Sequence, residues 1–213
     1  MSTRRRWLPL AAIGMLVTGS GVRAEDDWER CTGSVAMQRI EACSRLIENG
    51  GLAVEEQSLA YAMRALGRSL LGRHDLAIPD YDAAIRLDPD FAAALNNRAW
   101  ALYKSGRPEA GVDDVERALK LTPLSPHALD TRAHIRQALG EPAGALADYQ
   151  LAMRAGGERV VKLYQCGLQM RGLYEGPVDG LVTTGLRRAL ATCVETDGCD
   201  PLPPDEECRD ITS

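Results

Sequence analysis

Small and apolar residues along 58–157 recur at helical spacing in paired runs, and the whole pattern repeats every 34 residues. In the first unit the runs cover 58–71 and 75–87, with Gly72 between them. Gly72, Gly106 and Gly140 stand one period apart, as do Arg64, Arg98 and Arg132, and Ala65, Ala99 and Ala133. Asp80, Asp114 and Asp148 follow the same rule, with Ala84, Ala118 and Ala152 after them. A glycine between two helical runs suits a left-handed C-cap, which only glycine adopts without steric cost. Asp75 is placed to cap or charge the second run. Asp88-Pro89 stops it, because the residue before a proline is pushed out of the α region. Ala77, Gly111 and Ala145 share one register, and with the Ala84 series they mark close helix approach.

Helical patterning continues on both sides. Upstream, 36–48 carries the stripe Ile40, Cys43, Leu46 and Ile47, and Asn49-Gly50-Gly51 ends it. Downstream, Val161, Tyr164, Gln165 and Leu168 make one stripe, and a further helical run covers about 184–193. Two local features depart from the repeat. Pro79 falls early in the second run of the first unit, where a proline is tolerable only near a helix start. Gly156-Gly157 replaces the proline stop in the third unit, which predicts a frayed, flexible joint there.

The 34-residue unit, with two helices and a glycine between them, resembles the tetratricopeptide repeat. The resemblance implies an all-α helical-hairpin solenoid, with full repeats at 58–91, 92–125 and 126–157. The segment 25–57 then reads as an N-terminal half repeat, a lone second helix preceded by an extended segment. A repeat cannot bury its apolar face alone, so both ends need caps. The family lines a concave groove with the first helix of each hairpin. Carried over residue by residue, this gives Leu59, Ala62, Leu66, Ser69 and Leu70 from the first unit and Ala93, Asn96, Trp100, Tyr103 and Lys104 from the second. The third gives His127, Asp130, His134, Gln137 and Ala138. Such a mixed wall suits a protein or peptide partner, with Trp100 and Tyr103 as the anchors. The other reading of these two aromatics is cover for the inter-repeat core. Some members clamp a C-terminal carboxylate; here only Asn97 matches that pattern, and Ala62, Leu66, His127 and Thr131 stand in the other places.

The recurrent arginines and aspartates read as structural ion pairs between paired helices, the alternative being an anion-binding ladder. His127 and His134 share a helical face and read as surface histidines, with pH dependence the functional alternative.

At the N-terminus, Arg4-Arg5-Arg6, an apolar run from Trp7 to about Val17 and the small-residue site Val22-Arg23-Ala24 predict a signal peptide cleaved before Glu25. The apolar run is too short for a membrane span. Removing 24 of the 213 residues takes away four arginines and moves the net charge from −5 to about −9. That balance argues against nucleic acid and anionic lipid as partners. The six cysteines lie outside the repeats, and an even count in an exported chain predicts disulfides and a periplasmic address. Cys31 is expected to join Cys43. Cys166 points about 140° away from Val161 around its helix. This favours Cys193–Cys199 with Cys166–Cys208, the runner-up being Cys193–Cys208 with Cys166–Cys199. No CxxC pair exists and the three histidines lie in the repeats, so neither a metal nor a cofactor is expected.

Within 158–213, the loop Leu173-Tyr174-Glu175-Gly176-Pro177-Val178-Asp179-Gly180 and Arg187-Arg188-Ala189-Leu190 resemble the first half of a bacterial peptidoglycan-binding domain. The resemblance implies Tyr174 and Asp179 as candidate glycan contacts. Thr183, Leu186 and Cys193 depart from that pattern, and a cysteine- and proline-rich tail replaces the third helix. The bland alternative is a small disulfide-stapled helical segment that closes the solenoid. No nucleophile–base arrangement or carboxylate pair stands in an obvious pocket, so the expected function is a non-catalytic periplasmic scaffold for a protein or peptide. The alternative is an envelope module that holds peptidoglycan through its C-terminal segment.

Overall fold

The computed structural model describes residues 20–196, 198–202 and 208. Most of the expected signal segment and of the last eleven residues therefore lies outside the described residues. The chain is all-helical in the described residues: α1 (Ser20–Thr32), α2 (Ala36–Asn49), α3 (Val54–Leu70), α4 (His74–Leu87) and α5 (Ala92–Lys104). A 3-10 turn (Pro108–Gly111) then leads into α6 (Val112–Leu121), followed by α7 (Pro126–Ala138), α8 (Pro142–Met170) and α9 (Thr184–Glu195). Consecutive helices pack as hairpins, each stacked on the next, in a tetratricopeptide-type solenoid.

Close approach explains the small residues. Ala65, Ala99 and Ala133 have no exposed surface, nor do Ala84, Ala118 and Ala152. At Gly111 a Cβ would stand 3.0 Å from the Ala99 carbonyl oxygen and 3.2 Å from its Cα, so this hairpin closes more tightly than a side chain there readily allows. The hairpins are fastened by forked ion pairs. Arg64 donates from Nε and Nη2 to the two oxygens of Asp80 at 2.8 and 2.7 Å. Arg98 grips Asp114 at 2.6 Å twice, and Arg132 grips Asp148 at 2.8 and 2.7 Å. Arg98 also reaches back to Asp82 at 2.6 Å and Arg132 to Glu116 at 3.1 Å, tying each unit to the one before. These guanidinium groups are consumed by carboxylates. The structural ion-pair reading holds, and the anion ladder does not.

Three local expectations change. The segment before α2 is not extended: α1 carries Trp28 and Cys31, three residues apart, onto Ala42, Cys43 and Leu46. The Cys31–Cys43 disulfide thus joins two packed helices whose Cα atoms are 4.9 Å apart. The helix expected from residue 58 starts at Val54, since the Glu56 carboxylate accepts the Ala53 N–H at 2.9 Å and satisfies the free helix end. The glycine joint is a corner rather than a frayed end. Gly157 alone leaves helical geometry in α8, at φ 63 and ψ −153, a region open to glycine. A Cβ on Gly156 would lie 2.1 Å from Val160 Cγ2, so both glycines are needed for the corner.

Beyond that corner the second half of α8 packs Val161, Tyr164 and Leu168 into one core with Tyr149 and Met153 of the third repeat and with Leu186, Ala189 and Leu190 of α9. The C-terminal segment therefore caps the solenoid. Cys193–Cys199 and Cys166–Cys208 are the tail disulfides, the pairing favoured from helical phase.

The hairpin constraint is testable at Gly111. Gly111→Val should destabilise the chain by about 1–3 kcal/mol through overpacking against Ala99. Exposed Ala110→Val should stay within about 0.5 kcal/mol of wild type. Urea unfolding followed by circular dichroism measures both.

Candidate functional site

The first helices of the second and third hairpins, α5 and α7, pack against each other, with a short C-terminal segment laid against α7. Trp100 and Tyr103 stand three residues apart on α5, their ring centroids separated by 5.3 Å. The His134 ring on α7 lies 5.1 Å from Trp100, edge to face, and 5.5 Å from Tyr103. Tyr149 meets His134 at 5.1 Å, and Tyr164 meets Tyr149 at 5.7 Å. An aromatic chain thus runs from the second repeat into the cap.

His134 is not a surface histidine. Its side chain is 1 % exposed. Nδ1 faces the Asp130 carbonyl oxygen at 2.9 Å and the Asp130 carboxylate at 3.4 Å, and Nε2 faces Asp200 Oδ1 at 2.9 Å. Every partner is an acceptor, so both ring nitrogens carry protons and the ring is an imidazolium. Burial works against that charge, but Asp130 and Asp200 outweigh it and push the pKa up to about 10. Burial likewise raises Asp200, yet the hydrogen bond from His134 prevails and holds its carboxyl below the usual range. Asp130 also accepts a hydrogen bond from the Tyr164 hydroxyl.

Asp200 was not legible as a site residue. It arrives with 198–202, which Cys193–Cys199 folds back from the end of α9. Gln137 donates to the Cys199 carbonyl oxygen at 2.8 Å and is itself oriented by the Tyr149 hydroxyl at 3.1 Å. The chain therefore occupies part of its own groove. Beside the segment a cavity of about 400 Å³ remains, bringing together Leu66, Asn97, Trp100 and Lys104 with Arg171 and Leu202 from the cap. Lys104 Nζ sits 5.4 Å from the Trp100 ring centroid. Tyr81, fully buried, forms part of the cavity wall.

The other candidates separate. Asn96 and His127 border a different hollow, towards α7 and the loop before it, with His127 exposed and far less enclosed than His134. The two histidines thus do not act as a pair. Tyr174, expected as a glycan contact, is 6 % exposed and belongs to the cap core, its hydroxyl donating to the Pro177 carbonyl oxygen at 3.2 Å. Asp179 Oδ1 accepts from the Leu181 N–H and from Gln165 Nε2, both at 2.9 Å, and these bonds lower its pKa. Buried Gln165 also accepts from the Gly180 N–H at 2.8 Å. This motif builds a loop.

The tetratricopeptide repeat family model matches residues 62–126. The matched stretch runs from within α3 to the start of α7, and together with the hairpin geometry it supports the tetratricopeptide repeat family. No curated protein matches the chain significantly. Among the described residues, no group of three or more His, Cys, Asp or Glu side chains is placed to hold a metal ion. No helix among them is long and apolar enough to cross a membrane.

The buried imidazolium gives a pH signature. A pKa raised from 6.5 in the unfolded chain to about 10 supplies stability that is complete below about 6.5 and lost as pH rises through about 10. The depressed Asp200 carboxyl supplies stability that is lost below about 4. Around the ring, burial keeps Tyr103, Tyr149 and Tyr164 protonated over this range, and Lys104 acts on Asp200 from α5. The melting-temperature advantage of wild type over His134→Gln should be greatest between pH 4 and 6.5 and shrink towards pH 10. A difference that grows with pH would contradict the charged ring.

Proposed function

We propose that the protein is a non-catalytic, extracytoplasmic scaffold whose concave face binds a protein or peptide partner. The observation that carries this reading is Trp100, mostly buried yet still lining the cavity with Asn97 and Lys104 on the groove side of α5. Large aromatic side chains that keep exposed surface beside a cavity are the usual anchors of a peptide interface. Tetratricopeptide repeats commonly serve protein–protein interaction. The three disulfides fit an oxidising compartment, and the basic, apolar and small-residue segments ahead of Glu25 fit export to the periplasm. Peptidoglycan binding draws no support from Tyr174 or Asp179, both of which are spent on the loop itself.

Trp100→Ala should weaken a partner recovered from an envelope extract by about 2 kcal/mol or more when titrated against the purified protein. The control is thermal melting, since an equal loss of folding free energy would make Trp100 a core residue and end the groove reading. Export is tested separately by intact-mass analysis of the envelope fraction. The mass should begin at Glu25, and one that includes Trp7 would refute cleavage.

A further inference from the structure

The segment 198–202 makes the contacts of a bound peptide although it belongs to the same chain. One carboxylate, Asp200, sits on buried His134 at 2.9 Å. One main-chain carbonyl, that of Cys199, accepts from Gln137 at 2.8 Å. One proline, Pro201, is buried, and one apolar side chain, Leu202, packs on the cap core and walls the cavity beside Leu66 and Trp100. Asp200 also accepts the Leu202 N–H at 2.9 Å, which fixes the turn between acid and apolar anchor. An anchoring charge, a main-chain hydrogen bond and an apolar anchor at fixed spacing are how grooves read extended peptides.

The polar receiving groups belong to the repeats, while Leu202 also rests on the cap core. His134 and Gln137 lie one turn apart on α7, and Trp100 stands on α5. Two further contacts come from the repeats themselves: Asp130 holds His134 from its own helix, and Tyr149 orients Gln137. The segment is tied on by covalent bonds, Cys193–Cys199 on one side and Cys166–Cys208 on the other. A tethered segment meets its site at an effective concentration in the millimolar range, which a separate molecule must exceed.

We infer that the α5–α7 face is a receptor for an acidic Asp-Pro-apolar peptide segment of a partner protein, and that the chain's own residues 198–202 occupy it as a competing resident ligand. The partner exchanges places with the tail, so its affinity is set by how firmly the tail is held. The His134 subsite selects a carboxylate because a desolvated imidazolium is poorly served by a neutral amide. Arg171 and Lys104 bring positive charge to the same cavity, in keeping with an acidic visitor.

The probe is the peptide acetyl-Gly-Ser-Asp-Pro-Leu-amide, titrated calorimetrically into the full chain. The variant Cys199→Ala/Asp200→Ala, with its tail loosened, should bind it about ten-fold or more tightly than wild type. A peptide with Asn in place of Asp should bind that variant at least about ten-fold more weakly. No binding to a variant that still melts cooperatively, or equal binding by variant and wild type, overturns the inference. Should the variant fail to fold, hydrogen exchange on wild type decides: millimolar peptide should speed exchange of the Leu202 amide, and unchanged exchange overturns it. The inference rests on the groove reading, and the two fail separately. Peptide binding that survives Trp100→Ala upholds the receptor and removes Trp100 as anchor; a Trp100-dependent partner with no peptide binding overturns the receptor alone.

Discussion

The architecture depends on how closely two helices of a hairpin can approach. Alanines 65, 99 and 133 and alanines 84, 118 and 152 lie at the crossing points with no surface left. Gly111 lets the Ala99 backbone come so close that an added Cβ would crowd it. Close contact brings dispersion and tight packing from small residues, but each alanine removes little apolar surface from water. The repeats therefore lean on their neighbours. The forked Arg64–Asp80, Arg98–Asp114 and Arg132–Asp148 pairs set the angle between the helices, and the next hairpin supplies the missing apolar cover.

At the C-terminal end that cover comes from a different structure. The Gly157 corner swings the rest of α8 onto the third hairpin, and α9 completes the core. The same segment then reaches over the groove. Capping and occlusion are consequences of one chain path, because the helix that closes the solenoid ends beside the concave face. His134 stands where the two meet. It is desolvated by the tail, charged by Asp130 and Asp200, and in ring contact with Trp100.

The repeats were legible because their constraints are local and recur. A glycine cap, an alanine crossing and an Arg–Asp pair sixteen residues apart each leave a mark three times over. Helical phase also sorted the tail cysteines, since Cys166 and Cys193 face different ways. The failures have a common physical cause. Asp200 pairs with His134 across 66 residues, and nothing near either residue announces the other. His134 consequently read as a surface group. Helix α1 was hidden because a single turn of apolar contacts, Trp28 and Cys31, is too short to declare a period. Tyr174 read as a ligand contact because a motif names residues without saying which way they point; here its ring lies over Gly176, where a Cβ would stand 2.3 Å from the hydroxyl.

All three covalent cross-links lie outside 58–157. In a stacked array each unit touches only its neighbours, and unravelling begins at the ends, where one face has no partner. Cys31–Cys43 locks the first hairpin, and the two tail disulfides lock the last layer. The middle hairpins are held by packing and ion pairs alone, so small rotations between them can tighten or open the curvature without straining a covalent bond. The molecule is built like a spring with soldered ends, compliant in the middle and resistant to peeling from either terminus.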